Sequence, residues 1–261
     1  MTILFEKEDN VARIVLNRPD VHNAFNEQMI GDLSAAFLDL ENCTTTDVVI
    51  LSGAGASFSA GADLMWMKQA ADFSFERNVE DAKKLSDMLN LFYELKQLTI
   101  VCAKGANMGG AIGLISCADI AIADHDSKFS LSEVKLGLIP ATISPFVIKA
   151  IGARQAKRFF QTAEKFNADK ALEIGLIHEI STSNDDLNGF LESLFFQTAS
   201  NGSRAMKEAK KLIIDYQNLV INDELRSDTA LRIAKARSSE EAKEGIKAFF
   251  DKRKPSWSRD V

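Results

Sequence analysis

The spacing of hydrophobic positions changes along the chain, and this pattern predicts where strands and helices lie. The segments "ILFEKE" and "ARIVLN" flank a "DN" turn near the start, which predicts a hairpin of two strands. In "EQMIGDLSAAFLDLEN" the apolar residues recur at the three- and four-residue spacing of a helix. The runs "DVVILSG" and "TIVCAKG" are short, apolar and bounded by turn residues, as buried strands are.

The order of these elements predicts an α/β protein. "IAIAD" and "KFSLSEV" are predicted as further strands, "NMGGAIGLISCAD" as a glycine-led turn into a short helix, and an apolar helix follows Asp63. Beyond "GLIPATISP" the pattern is mostly helical, without a low-complexity linker or a clean tandem repeat. Strands alternating with helices, then a helical tail, indicate an α/β core with right-handed crossovers.

Composition restricts the class of protein. The 261 residues are 46% hydrophobic and 26% charged, which is typical of a soluble globular protein with a sizeable core. The formal charge of −6 argues against nucleic acid or an anionic membrane as the main partner. We find no signal-peptide pattern and no apolar run near the roughly 20 residues of a membrane span. The three unpaired-looking cysteines (Cys43, Cys102 and Cys117) suit a reducing compartment, so we expect a cytoplasmic protein.

Several common kinds of site are excluded by their motifs. "GAGASF" has Phe58 where a dinucleotide fingerprint requires its third glycine. No glycine loop ends in Gly-Lys-Ser/Thr, and no Gly-x-Ser-x-Gly elbow is present. His22, His125 and His178 are scattered, without the spacing of metal ligands, so no metal is expected.

Two glycine-rich turns remain, and each follows a buried strand. "SAGAD" comes after "VVILSG", and "NMGGAIG" comes after "TIVCAKG". Two backbone N–H groups converging on one carbonyl oxygen would form an oxyanion hole. Alternatively, the glycines only permit tight turns and close helix packing. Two loops in equivalent places favour a functional interpretation.

Glu133, in "FSLSEVKLGLIP", is the third candidate element. It follows a predicted strand and precedes a turn bounded by glycine and proline, so we expect it at the strand end, facing a cleft. A carboxylate beside an oxyanion hole can act as general acid or base on the carbon next to the carbonyl. The alternative is an ordinary surface glutamate.

Together these segments resemble the enoyl-CoA hydratase/isomerase family, the crotonase superfamily. The resemblance covers nearly the whole chain and rests on "LNRPDVHNAFN", "FSAGADL", "GANMGGAIG", "SEVKLGLIP", "TAEKFNADKALEIGLIHEI" and "EGIKAFFDKRKPSW". It implies a spiral of ββα units over residues 1–200 and a C-terminal helical trimerisation region over residues 201–261. It also implies a homotrimer or hexamer.

The resemblance implies an acyl-CoA substrate, in which coenzyme A is part of the substrate, and no separate cofactor. The thioester oxygen would be held by the N–H groups of Ala62 and Gly110, with Glu133 as acid/base. The other implied substrate-binding residues are Asp20, Val21, His22, Ala60, Asp63, Leu64, Met65, Gly109, Gly113, Phe249 and Lys252. For Phe249 and Lys252, helix packing and a solvated charge are the alternatives.

The chain departs from the family's hydratases at one position. They carry a second glutamate three residues after the second oxyanion glycine, and Gly113 stands there. Either Glu133 serves both proton transfers or a water occupies the space left by Gly113. If that space is open, Gly113→Glu is expected to gain activity on a simple enoyl-CoA. The main prediction is a 2-enoyl-CoA hydratase. The alternatives are a Δ3–Δ2 enoyl-CoA isomerase with one glutamate and a non-catalytic acyl-CoA-binding protein.

The finer motifs resemble methylglutaconyl-CoA and carboxygeranoyl-CoA hydratases of leucine and terpenoid breakdown. "FSAGADLMWM", "GGAIGLISCADIAI" and the "ATISP" turn carry this likeness. Such substrates have a distal carboxylate, so a cation is expected near the acyl end. Lys68, Arg77 and Arg154 are candidates by sequence position, against the alternative of solvated surface charges.

Overall fold

The predicted opening hairpin forms one edge of a six-stranded sheet in the computed structural model, which describes residues 1–258. The strands of the described chain are β1 (Ile3–Glu8), β2 (Val11–Leu16), β3 (Val48–Gly53), β4 (Leu98–Ala103), β5 (Ala106–Met108), β6 (Ile120–Asp124), β7 (Lys128–Ser130), β8 (Phe166–Asn167) and β9 (Glu179–Ser181). The large sheet has the order β1-β2-β3-β4-β6-β9. β1 and β2 pair antiparallel, and every later pair in this sheet is parallel.

Burial explains why β3 and β4 are continuous apolar runs. Helices cover the faces of a parallel sheet, so its inner strands meet apolar neighbours on both sides. Val49 and Leu51 of β3 and Val101 of β4 have no exposed surface. Both predicted buried strands are therefore confirmed.

A second, three-stranded sheet was not predicted as such. β5 pairs parallel with β7, in register from Ala106 against Lys128 to Met108 against Ser130. β7 pairs antiparallel with β8. The segment predicted as one longer strand, "KFSLSEV", is a strand only over Lys128–Ser130.

Helices fill the connections and the second half of the described chain. They are α1 (Glu27–Glu41), α2 (Leu64–Ala70), α3 (Phe75–Glu94), α4 (Gly110–Cys117), α5 (Ser144–Thr162), α6 (Ala168–Glu173), α7 (Asn184–Ala199), α8 (Ser203–Tyr216), α9 (Asp223–Arg237) and α10 (Glu240–Phe250). Asn26 caps α1 by accepting a hydrogen bond from the N–H of Met29, at 2.9 Å. Phe37 of α1 stacks on Phe92 of α3 with ring centroids 4.9 Å apart, which joins these two helices within the core.

The chain forms two compact units, Met1–Asn184 and the part from Asp185 onward. The first unit holds both sheets, and the described part of the second is helical. The predicted α/β core with a helical C-terminal region is therefore confirmed. The predicted boundary between a core over residues 1–200 and a trimerisation region over residues 201–261 stays a prediction. Among residues 1–258, no helix combines the length and apolar character needed to cross a membrane.

Candidate active site

The loop that follows β3 presents the backbone N–H of Ala62. Phe25 donates its N–H to the carbonyl of Gly61 at 2.7 Å and accepts the N–H of Asp63 at 2.8 Å. The Gly61 carbonyl and the Ala62 N–H belong to one planar trans peptide and point in opposite directions. The Ala62 N–H is therefore directed away from Phe25, and it has no acceptor among the described residues. Ala62 itself is exposed, so a ligand can reach this donor.

The second glycine turn presents the N–H of Gly110 in the same way. The carbonyl of Gly109 accepts from Ile112 at 2.9 Å and from Gly113 at 3.3 Å, so it points along α4. The N–H of Gly110, on the same peptide, points out of the start of the helix, where backbone donors lack intrahelical acceptors. The helix dipole adds partial positive charge at this end. The predicted pair of donors is thus available for a ligand oxygen.

Backbone pairing brings the two turns together. Met108 donates its N–H to the carbonyl of Ser59 at 3.1 Å, so the first loop runs beside β5. Gly61 has a φ of +87°, and a Cβ there would lie 2.7 Å from the Met108 carbonyl oxygen, so only glycine fits. The Phe25 ring lies 3.0 Å from where a Cβ of Gly110 would be. Phe25 therefore contacts both donor segments, with its backbone on one side and its ring on the other.

Glu133 lies beside the second turn but not at a strand end. It begins a 3-10 helix over Glu133–Leu136, three residues after the end of β7. This corrects the predicted position: β7 ends at Ser130, because neither β5 nor β8 pairs with it beyond that residue. Gly109 donates its N–H to the Ser130 carbonyl at 3.1 Å, and a Cβ on Gly109 would lie 3.0 Å from Glu133 Oε1. The carboxylate is therefore adjacent to Gly109, the residue that precedes the Gly110 donor.

The environment of Glu133 suits proton transfer. Its side chain is half-buried, and its Oε2 atom is buried without a hydrogen-bond partner in the described chain. Burial raises the pKa of Glu133 above its ordinary value, and the backbone N–H of Glu133 offsets only part of this effect. A carboxyl group that is not tied into an ion pair can both accept and donate a proton.

Gly113 is not beside an open space. A Cβ at this position would lie 2.6 Å from Ile143 Cγ2 and 3.4 Å from Leu89 Cδ2. Ile143 is 2% exposed and Leu89 is fully buried. A side chain at position 113 would leave the helix toward Ile143 and Leu89. The expectation that a water fills this place is therefore wrong, because apolar groups already occupy it.

The other residues predicted around the first loop are brought together there. Asp20 and Val21 lie on a 3-10 helix, and His22 follows in a left-handed conformation; all three are exposed. The carbonyl of His22 accepts the N–H of Ala60 at 2.8 Å. His22 Nδ1 lies 3.1 Å from Ser57 Oγ.

The three residues predicted to line the acyl and pantetheine path separate into two groups. Leu64 and Met65, at the start of α2, are exposed. Asp63 is 9% exposed, and its carboxylate contacts Arg18 and the first turn of α2 instead of solvent.

The remaining candidates are exposed or half-buried. Lys68 and Arg154 are exposed, whereas Arg77 lies 3.5 Å from a Glu27 carboxylate oxygen. Phe249 and Lys252 belong to the second unit and are exposed.

Sequence reasoning missed Arg18 and Phe25. Both stand in "LNRPDVHNAFN", which was used only for its resemblance. The sequence signal available for Arg18 was its position directly before Pro19, which starts a turn. No local signal showed that Phe25 would pair with residues 61 and 63.

Two backbone donors and a nearby carboxylate suit enzymes that build negative charge on a carbonyl oxygen while a proton moves at the neighbouring carbon. The chain belongs to one family of such enzymes, because residues 6–260 match the model described as enoyl-CoA hydratase/isomerase. The crotonase-like fold and the enzymatic class predicted from the sequence are thereby confirmed, with an acyl-CoA as the substrate class.

Individual proteins similar to this chain carry names that fit this family. The crystal structure of an enoyl-CoA hydratase from Shewanella pealeana is 42% identical, covers 98% of this chain and 96% of its own, and has a TM-score of 0.94. The short-chain-enoyl-CoA hydratase of Clostridium acetobutylicum is 30% identical over 97% of this chain and 95% of its own. A trans-2-decenoyl-[acyl-carrier-protein] isomerase of Streptococcus mutans is 26% identical over 98% and 97%.

Proposed function

We propose that this protein is a hydratase that adds water to the double bond of a 2-enoyl-CoA thioester. The observation that carries the proposal is the half-buried Glu133 carboxyl group, whose Oε2 has no hydrogen-bond partner among residues 1–258, beside Gly109 at the start of the second glycine turn. Ala62 and Gly110 then donate to the thioester oxygen. The proposal needs no cofactor beyond the coenzyme A portion of the substrate.

The proposed reaction balances with one carboxylate. The water oxygen bonds to the β carbon, and the electrons of the double bond move toward the thioester, whose oxygen gains negative charge. The Ala62 and Gly110 N–H groups stabilise that charge. Glu133 takes a proton from the water and returns a proton to the α carbon, so it ends in its starting state.

The proposed substrate positions follow the first loop. Asp20, Val21, His22 and Ala60 flank the coenzyme A portion, and the exposed Leu64 and Met65 line the path of the acyl chain. In an assembled trimer or hexamer, Phe249 and Lys252 of a neighbouring copy reach the ligand. We propose a cytoplasmic location and a branched acyl group with a distal carboxylate, as in 3-methylglutaconyl-CoA. Its cation would be Lys68 or Arg154, because Arg77 already faces Glu27.

A second candidate function is Δ3–Δ2 enoyl-CoA isomerisation. The specific observation in its favour is that Ile143 and Leu89 occupy the place of a second carboxylate. Isomerisation moves one proton between two carbons and requires no water, so one glutamate is sufficient. A relative named as a trans-2-decenoyl-[acyl-carrier-protein] isomerase supports this candidate.

The absorbance of the conjugated enoyl thioester separates these functions. A hydratase removes the absorbance of crotonyl-CoA or 3-methylglutaconyl-CoA, and an isomerase creates it from a 3-enoyl-CoA. Loss with the branched acid alone supports the carboxylate-bearing substrate. Gain of absorbance from the 3-enoyl-CoA without loss from either 2-enoyl-CoA would replace the hydratase with the isomerase. Tight binding without turnover would leave a non-catalytic binding protein.

We expect the acid limb of the kcat/KM profile to lie above the ordinary glutamate pKa of 4.5. Burial penalises the carboxylate form of Glu133 and so raises its pKa, and the carboxylate is the form that accepts a proton. Activity should therefore fall as the pH drops through this raised pKa. The measurement is kcat/KM against pH, with Glu94→Gln, at an exposed site, as the control. An acid limb at or below 4.5 would contradict the assignment.

A further inference from the structure

Arg18, in the segment before α1, forms an ion pair with Asp63, the residue that directly follows Ala62. Arg18 Nη2 lies 2.7 Å from Asp63 Oδ2, and the two side chains are only 22% and 12% exposed. Arg18 Nη1 also donates to the carbonyl of Ala24 at 2.6 Å. The guanidinium thus binds a carboxylate and a backbone carbonyl with its two ends. Solvent screens such a partly buried pair much less than an exposed pair.

The other oxygen of Asp63 holds the start of α2. Oδ1 accepts the N–H of Met65 at 2.8 Å and the N–H of Trp66 at 3.3 Å, which makes Asp63 the N-cap of this helix. Burial alone would raise the pKa of Asp63, but the hydrogen bonds from Arg18 and from these two N–H groups outweigh it and hold the pKa below its usual value. The carboxylate is therefore ionised, and it links Arg18 to α2.

This link fixes the peptide that carries the Ala62 donor. The neighbours of Ala62 are anchored on both sides, Gly61 through the N–H of Phe25 and Asp63 through the carbonyl of Phe25. Asp63 is additionally held through its side chain by Arg18. Since a peptide unit is planar, fixing these neighbours fixes the direction of the Ala62 N–H.

We propose that Arg18 is a positioning residue for the reaction, acting through Asp63 to direct the Ala62 N–H at the thioester oxygen. Arg18 does not itself contact the reacting atoms. This inference rests on the proposed function of Ala62. It adds a positioning contact that takes no part in the proposed proton transfers. The Asp63 carboxylate is thereby assigned to holding the Ala62 peptide instead of to lining the acyl path.

Arg18→Met is expected to lower kcat about 10- to 100-fold, because a shift of about 1 Å in a catalytic group can cost about that much. KM should change by less than about threefold, since the donor acts mainly on charge that develops during the reaction. Arg18→Lys keeps the charge but lacks the fork that contacts both Asp63 and Ala24, so its kcat should lie between those of wild type and Arg18→Met. Lysine is also the variant to use if methionine prevents folding.

A spectroscopic measurement separates positioning from a loss of stability. The absorption band of cinnamoyl-CoA, a conjugated enoyl thioester, moves to longer wavelength when its carbonyl oxygen accepts strong hydrogen bonds. Wild type should produce this shift on binding, and both Arg18 variants should bind with a smaller shift. Arg232→Met is the matched control, because Arg232 forms a similarly covered pair with Asp215 in the second unit. It should lower the Tm but leave the band and kcat unchanged.

Each outcome decides between the inference and the proposed function. If wild type shifts the band and folded Arg18 variants shift it equally, the positioning inference fails and the proposed function stands. If kcat falls as much in Arg232→Met as in Arg18→Met, the effect of Arg18 is only on stability. If wild type binds cinnamoyl-CoA with no shift, the donors do not polarise the carbonyl, and the proposed function and the inference both fail.

Discussion

Replacing Glu133 with glutamine is expected to lower kcat by about 10²–10⁴, the usual share of one general acid/base. The amide keeps the size of the side chain but can neither accept nor return the proton. The same variant should fold at least as well as wild type at neutral pH. This combination distinguishes a catalytic residue from a structural one, for which activity and stability fall together.

The direction of the stability effect follows from the pKa of Glu133. Burial raises that pKa in the folded protein above its value in the unfolded chain. The stability that the protonated group contributes is therefore complete below the unfolded pKa and is lost as the pH rises through the folded pKa. At neutral pH wild type has a poorly solvated carboxylate, which glutamine replaces with a neutral group. The Tm of Glu133→Gln should accordingly be equal to or above that of wild type.

Thermal unfolding and steady-state kinetics on one preparation make this measurement. Glu94→Gln, at the exposed end of α3, is the control and should change neither quantity. An unchanged kcat in Glu133→Gln would remove Glu133 from the mechanism. A lower Tm would mean that Glu133 has a stabilising partner in solution.

Gly113→Glu is expected to be the most destabilising substitution near the site and to gain no hydratase activity. The Cβ of the new glutamate would lie 2.6 Å from Ile143 Cγ2 and 3.1 Å from Ile143 Cβ. Rotation of the Ile143 side chain does not move its Cβ, so the backbone would have to shift. Overpacking of this kind costs about 1–3 kcal/mol, and a buried carboxylate without a partner adds to that cost. The expectation of gained activity depended on an open space that the structure does not contain.

Two further variants test the cause of this loss. Gly31 lies in α1, and a Cβ there would meet nothing within 4 Å, so Gly31→Ala should raise the free energy of unfolding by up to about 1 kcal/mol. Gly113→Glu combined with Ile143→Ala should recover part of the lost Tm, because the alanine removes the atom that clashes. A Gly113→Glu protein with the Tm of wild type and new activity on crotonyl-CoA would contradict the packing explanation.

Local sequence pattern was sufficient where local forces decide the structure. The opening hairpin, α1 and the glycine turns before Ala62 and Gly110 follow from apolar spacing, an N-cap and small residues. α3 was not predicted, because its buried apolar residues (Met88, Leu89 and Phe92) lie near its end and much of the helix is polar and exposed.

Contacts between distant segments could not be predicted. β5, β7 and β8 have three residues or fewer, so their existence depends on pairing that no single strand reveals. The same is true of the Arg18–Asp63 pair, whose members are 45 positions apart. The resemblance selected Ala62, Gly110 and Glu133 as candidates, but it could not show that Ile143 fills the place beside Gly113.

The parallel pairing of β5 and β7 has a consequence for how this fold can diversify. Gly109 and Gly110 directly follow one strand and Glu133 follows the other, with Met108 and Ser130 in register. The distance between the proposed Gly110 donor and the proposed acid/base Glu133 is therefore set by backbone pairing and not by the side chains proposed to line the acyl path. If Leu64, Met65 and Lys68 line the acyl path as proposed, substitutions at these exposed positions should change which acyl groups are accepted without changing that distance. Changes in substrate range are thus separable from loss of the reaction, and a library restricted to Leu64, Met65 and Lys68 should yield many active clones with altered substrate ranges.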